Sequence, residues 1–177
     1  MAETAAGLLA LFGGPAGAGK STLARAWCET RGRAVHIELD RVRELIVAGR
    51  ADPQQPGELQ SEQYQLSVRA CMALARSFLE SGYDVAIDDV FDPVAFERDW
   101  RPLVAGLQWR AVIVLPSLEE TLARSRAREK RVLEMHTRDQ HAASQGWPAS
   151  VRVDSTDLSI DESLTLVQRI IDGPMVH

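Results

Sequence analysis

The segment Gly14-Pro-Ala-Gly-Ala-Gly19-Lys20-Ser21 satisfies the spacing G-x-x-x-x-G-K-[ST] without a mismatch. The chemistry of that spacing is phosphate binding. Glycines let a backbone curl until successive N–H groups converge on an anion. The start of a following helix adds its positive end. On this reading Gly14, Ala16, Gly17, Ala18, Gly19 and Thr22 belong to the phosphate cradle, Lys20 reaches the β- and γ-phosphates, and the Ser21 hydroxyl ligates Mg²⁺. The rival is a dinucleotide fold, because Gly17-x-Gly19 begins a G-x-G-x-x-G and Glu38 and Asp40 follow about 20 residues on, where a ribose-binding acid sits. Thr22 then occupies the third glycine position, and Lys20-Ser21 has no role.

Two further stretches end in acid. Asp40 follows Val35-His-Ile-Glu-Leu39, and Asp88-Asp89 follows Asp84-Val-Ala-Ile87. The C-termini of parallel strands line the ligand crevice, so both acids are expected to face the phosphate loop. Phosphoryl transfer to an alcohol needs a base for the hydroxyl and an acid for the metal or its waters. Asp40 is the candidate base, with a helix N-cap as its ordinary alternative use. Asp88 or Asp89 is the candidate metal carboxylate; we assign Asp88 to Mg²⁺ and Asp89 to the acceptor. Arg43, three residues after Asp40 on one helical face, is a candidate to steer the acceptor or pair with a carboxylate.

Arg124, Arg126, Arg128, Lys130 and Arg131 crowd one stretch. Guanidinium forks suit spread phosphate charge, and a lid at about residues 124–145 would close them over a nucleotide. Arg124, Arg128 and Arg131 recur at spacings that share a helical face; the alternative is a solvated, mixed-charge helix. His136 and His141, five apart, are poorly spaced for a shared metal.

The elements that must position these residues alternate. Short apolar runs at 8–12, 34–38, 83–87, 109–115 and 149–153 read as strands. Amphipathic stretches at 20–30, 58–80, 118–130, 132–144 and 160–171 read as helices, with shorter ones opening near Asp40 and at Asp92-Pro93. Residues 49–57, rich in Pro, Gly and Gln, read as a mobile loop. Five strands separated by helices imply an α/β fold with a mostly parallel sheet covered on both faces.

At 177 residues the chain fits a single domain, 1–177, and its 45% hydrophobic and 25% charged content is that of a globular protein. No apolar run is long enough to span a bilayer, and a soluble, cytoplasmic protein is expected. The net charge of −5 disfavours nucleic acid as a partner, although a local basic patch is compatible with it. There are 18 Arg and two Lys, Lys20 and Lys130, so a compact ammonium at position 20 is notable. Cys28 and Cys71 are isolated and read as small buried thiols; the four tryptophans read as core or rim packing.

The Gly14–Thr22 loop, Asp40 with Arg43, the Ile87-Asp-Asp-Val90 strand end, the Arg124–Arg131 segment and the tail Val153-Asp-Ser-Thr-Asp-Leu158 occur in that order. Together they resemble the small P-loop kinases of the AAA_33 and zeta-toxin/chloramphenicol phosphotransferase type, with polynucleotide 5′-kinase domains as cousins. The resemblance implies a three-layer P-loop NTPase sandwich with strand order 2-3-1-4-5 and an Arg-bearing lid, ATP and Mg²⁺ as cofactors, and a small-molecule hydroxyl acceptor. It further implies Asp40 as general base, Arg128 or Arg131 as the lid arginine, and Asp154 and Thr156 in the loop beside the adenine. The lid departs from the family in lacking the usual Arg-Gly and reading Arg126-Ala-Arg128-Glu. The alternatives are a polynucleotide 5′-hydroxyl kinase or a non-catalytic nucleotide-binding module; a monomer or homodimer is expected.

Overall fold

Strand β1 (Leu9–Gly13) is buried along its whole length. Its side chains alternate between two cores, Leu9 and Leu11 in one and Ala10 and Phe12 in the other, as a strand covered on both faces requires. The computed structural model describes residues 6–127 and 132–173. After β1 come α1 (Lys20–Glu29), β2 (Ala34–Glu38), α2 (Leu39–Glu44), α3 (Glu58–Glu80), β3 (Asp84–Asp88), α4 (Pro93–Asp99) and α5 (Arg101–Val104). Then follow β4 (Trp109–Val114), α6 (Leu118–Arg126), α7 (Glu134–Ser144), β5 (Arg152–Val153) and α8 (Ile160–Ile171).

The five strands form one sheet in the order β2-β3-β1-β4-β5, every pair parallel. This is the three-layer sandwich of the P-loop NTPases. On one face Val68, Met72, Phe96 and Trp100 pack with Leu11 and Ile87. On the other, Leu23, Trp27, Val167 and Ile171 pack with Phe12 and Val112. Each fully buried side chain of this size contributes about 1.5–3 kcal/mol, so the strand ends between the two cores are firmly held. Phe12 and Glu38 both lie level with Asp88 in the sheet register. The chain that leaves these three strands therefore opens onto one common edge.

Several boundaries differ from the expected ones. Asp92 caps α4 as expected, accepting from the N–H groups of Val94 at 3.0 Å and Ala95 at 2.9 Å. The fifth strand is only Arg152–Val153; Ala149–Val151 form a 3₁₀ turn after Pro148. Helix α6 ends at Arg126 rather than Lys130, and α7 begins at Glu134 rather than Val132. The N-cap of α2 is Glu38, and Asp40 sits inside the first turn. Its capping alternative is thereby corrected.

Among the described residues no helix is long and apolar enough to cross a membrane. Both cysteines are free thiols. Burial pushes Cys71 up to about 12 and Cys28 up to about 11, so neither supplies a thiolate near neutral pH.

Candidate active site

The loop between β1 and α1 needs its glycines for two physical reasons. Gly14 has φ +133° and a Cβ there would lie 2.1 Å from the Val114 carbonyl oxygen. Gly17 has φ +88° and a Cβ would lie 2.6 Å from the Thr121 carbonyl oxygen. Gly14→Ala is expected to destabilise the fold by about 2 kcal/mol or more, through a disfavoured φ and a backbone clash. Gly32→Ala, where a Cβ meets nothing within 4 Å, should change stability by less than ~0.5 kcal/mol. Urea denaturation of the two variants checks this contrast.

The rest of the loop divides by role. Ala18 is buried in the α1-side core, while Ala16, Gly17 and Gly19 line a cleft of about 610 Å³. Lys20, only 9% exposed, also lines the cleft, and its Nζ donates to the Pro15 carbonyl at 2.9 Å. The ammonium thus spans the loop it starts from. Thr22 and Ser21 reach the same cleft from the first turn of α1. This cradle, closed to any Cβ at Gly14 and Gly17, fits the backbone approach that a polyphosphate requires.

Strand alternation separates the two adjacent acids of β3. Ala86 belongs to the α1-side core and Val85 and Ile87 to the α3-side core. Asp88 follows Ala86 in parity and meets α1: its Oδ1 accepts from Ser21 Oγ at 3.2 Å. Its Oδ2 lies 2.6 Å from His36 Nε2, a residue of the same face on β2. Ser21 and Asp88 are hard oxygen donors of the kind that hold Mg²⁺ together with waters and phosphate.

Asp89 has the opposite parity and meets α3. Its Oδ2 accepts from Tyr64 Oη at 2.8 Å, and Tyr64 Oη in turn accepts from Trp100 Nε1 at 3.2 Å. Burial pushes Asp89 up to about 7, against the lowering influence of the Tyr64 and Val90 hydrogen bonds and the Lys20 charge, and with a further raising contribution from Asp40. The folded chain therefore holds a proton that the unfolded chain has lost between pH ~4 and ~7. Stability should fall as pH rises through that window and level off above it. Asp89→Asn should remove the fall, gaining on the wild type by up to about 4 kcal/mol across the window. Thermal melts of both chains between pH 4 and 8 measure it.

The opposite wall of the cleft carries Glu38, Asp40 and Arg43 from the β2–α2 junction, Pro53 and Gln54 from the following loop, and Gln60 from α3. Asp40 Oδ1 lies 3.7 Å from Arg43 Nη1, and the Asp40 side chain is 54% exposed. The loop at 49–57 is pinned to α3. Gln63 Oε1 accepts from Ala51 N–H at 2.9 Å, and its Nε2 donates to Gly49 O at 2.8 Å. Gln54 Oε1 also accepts from Leu133 N–H at 2.9 Å, which ties this loop to the approach to α7.

Arg124 of α6 and His136 and Gln140 of α7 border the remaining side. Arg124 lines the cleft, but its guanidinium is bonded to Glu120 at 2.6 Å and to the Ser155 carbonyl at 3.2 Å. Arg128 and Arg131 lie outside the described residues. Asp154 and Thr156 do not line the cleft. They shape the β5–α8 loop, Asp154 Oδ1 accepting from Thr156 N–H at 3.0 Å and Thr156 Oγ1 from Ser117 N–H at 2.8 Å. The sequence assigned no role here to His36, Tyr64 or Gln140, and set His136 aside as poorly spaced for a metal. Gln140 Oε1 accepts from the Ala16 N–H at 2.9 Å, and His136, one turn earlier on α7, lines the cleft beside it. His141 instead donates from Nε2 to the Pro116 carbonyl at 2.9 Å, anchoring α7.

A parallel 2-3-1-4-5 sheet, with a glycine loop between its central strand and α1 and acids at the neighbouring strand ends, defines a P-loop nucleotide-binding fold. The family model AAA_33, described as an AAA domain, matches residues 9–147. That is well over half of the chain, and the chain belongs to this family. No curated protein matches it. Among solved structures it is similar to a sugar kinase from Janibacter sp. (TM-score 0.70, 16% identity, 94% of this chain and 95% of that one). It is also similar to the APS kinase CysC of Mycobacterium tuberculosis in complex with AMPPNP and APS (TM-score 0.66, 16% identity, 95% and 99%). A third is the tunicamycin resistance protein of Deinococcus radiodurans (TM-score 0.65, 15% identity, 92% and 94%). At these identities the likeness is one of fold.

Proposed function

We propose that the chain is a phosphotransferase that moves the γ-phosphoryl group of ATP to a hydroxyl of a small molecule. The observation that carries this reading is one continuous cleft joining the glycine loop, the Ser21–Asp88 pair and the Asp40–Asp89 wall. ATP with Mg²⁺ would supply the phosphoryl group and screen its charge. The loop N–H groups and Lys20 would hold phosphate oxygens, and Ser21 and Asp88 would hold the metal or its waters. Asp40 orients the acceptor hydroxyl and takes its proton, which passes on to water. The acceptor oxygen gains the bond to phosphorus, and the bridging oxygen that phosphorus leaves departs with ADP.

Charge on the cleft favours a small acceptor over a polynucleotide. Of Arg41, Arg43, Arg50 and Arg69, only Arg43 lines the cleft. The other three are exposed elsewhere, with Arg41 bonded to Glu44 at 3.0 Å. The test is γ-labelled ATP with Mg²⁺ against sugars, nucleosides, aminoglycosides, chloramphenicol-like alcohols and 5′-OH oligonucleotides. Label should appear on a small hydroxyl compound. Label that never leaves bound ATP for any acceptor would favour a non-catalytic nucleotide-binding module instead.

A further inference from the structure

We infer that Gln140 of α7 is a further substrate contact: its side-chain amide donates to the γ-phosphoryl group where that group passes from the glycine loop to the acceptor. This rests on the phosphotransfer reading and adds to it a neutral donor that lies outside the loop.

The Ala16 N–H fixes how the amide is turned. A backbone N–H only donates, so the atom that meets it at 2.9 Å is Oε1 of Gln140. The donor arm of the same planar group, Nε2 with its protons, then lies within about 5 Å of the Ala16 nitrogen. Among the described residues, the side-chain hydrogen bond of Gln140 is the one made by Oε1. Nε2 is left for whatever fills the cleft that Gln140 lines.

Helix α7 holds that amide beside the path of transfer. Thr137 is fully buried, its Oγ1 3.4 Å from Ser125 Oγ of α6, and His141 Nε2 bonds the Pro116 carbonyl at 2.9 Å. Helix α6 in turn abuts the loop, since a Cβ at Gly17 would lie 2.8 Å from the Ser125 nitrogen. Gln140 is therefore presented from an anchored element. At the other end of the same face, Leu133 N–H donates to Gln54 of the acceptor-side loop. At helical rise the step from Leu133 to Gln140 covers about 10 Å. The inner face of α7 thus runs from the acceptor wall to the phosphate loop, and His136 and Gln140, one turn apart, both line the cleft along it. The γ-phosphoryl group is the part of the nucleotide that crosses this interval. Arg124 is engaged with Glu120 and Ser155. Asp40, Asp88 and Asp89 line the same cleft; a guanidinium on this face of α7 would be drawn to them, whereas an amide donates to phosphate oxygens with no ion pair to break.

The experiment titrates the intact chain, in excess Mg²⁺, with ADP and with the non-transferring triphosphate AMPPNP, and compares the wild type with Gln140→Leu and Gln140→Glu. Gln140→Leu removes both the Ala16 bond and the donor. Gln140→Glu keeps an oxygen for the Ala16 N–H and removes the donor alone, so it is read even where the first variant melts early; thermal melts of both accompany the titrations. The wild-type preference for AMPPNP over ADP should fall by about tenfold or more in each variant, the worth of a hydrogen bond to a charged group. It should fall furthest in Gln140→Glu, where a carboxylate faces the phosphoryl oxygens. An equal loss on both nucleotides, which a mere prop of the loop would give, overturns the inference. So does a preference unchanged from the wild type, or tighter AMPPNP binding in Gln140→Leu, which would make Gln140 a plug on the Ala16 N–H. In each of these cases phosphotransfer itself stands. A wild-type chain that binds neither nucleotide overturns the phosphotransfer reading and this inference with it.

Discussion

Lys20→Ala should lower phosphoryl transfer by at least about 10³-fold and weaken ATP binding with it. The ammonium is 9% exposed in the cleft, where low dielectric strengthens its pull on phosphate oxygens and where its position is already set by the Pro15 carbonyl at 2.9 Å. Lys20→Arg should not restore the rate. A planar, five-donor guanidinium is larger than the point charge that this loop encloses. Because Lys20 also spans its own loop, a thermal melt belongs beside the kinetics. A variant that melts like the wild type but has lost both affinity and rate identifies the charge, rather than the scaffold, as what was removed.

Asp40→Asn should behave differently. The amide keeps the shape of the carboxylate and loses its basicity, so ATP affinity should stay within about threefold while turnover drops by about 10²–10⁴-fold, the range ascribed to a positioned general base. Stability should change by less than ~0.5 kcal/mol, since Asp40 is not the N-cap of α2 and its side chain is 54% exposed. Equilibrium ATP binding and steady-state transfer on the same preparation separate the two effects. Loss of affinity in parallel with rate would mean that residue 40 serves the nucleotide or the fold. Equal rates in the two proteins would assign the base to another group.

The phosphate loop was legible because its function constrains backbone conformation. Gly14 and Gly17 have no room for a Cβ, and that constraint leaves a mark on sequence. The edge at which the acids gather was legible from strand ends, and the register of Phe12, Glu38 and Asp88 realises it. The sequence assigned Asp88 to the metal and Asp89 to the acceptor without a physical reason for the choice; the parity of Ala86 and Ile87 puts the two acids on opposite faces. The same parity would have placed His36 beside Asp88. Tyr64, Trp100 and Gln140 left no comparable signal. Their roles come from side chains of distant elements meeting across the core, as with Gln140 and Ala16, 124 residues apart. Helix α6 ends at Arg126, earlier than its helical charge spacing suggests, because spacing alone does not mark where a helix ends.

Calorimetric titration of the intact chain with ATP, with and without Mg²⁺, tests the phosphate cradle most directly. Saturable binding that tightens on adding the metal, and that Lys20→Ala abolishes, is the expected result. Binding that ignores the metal, or that survives unchanged in Lys20→Ala, would contradict the assignment of this cleft to a nucleotide triphosphate.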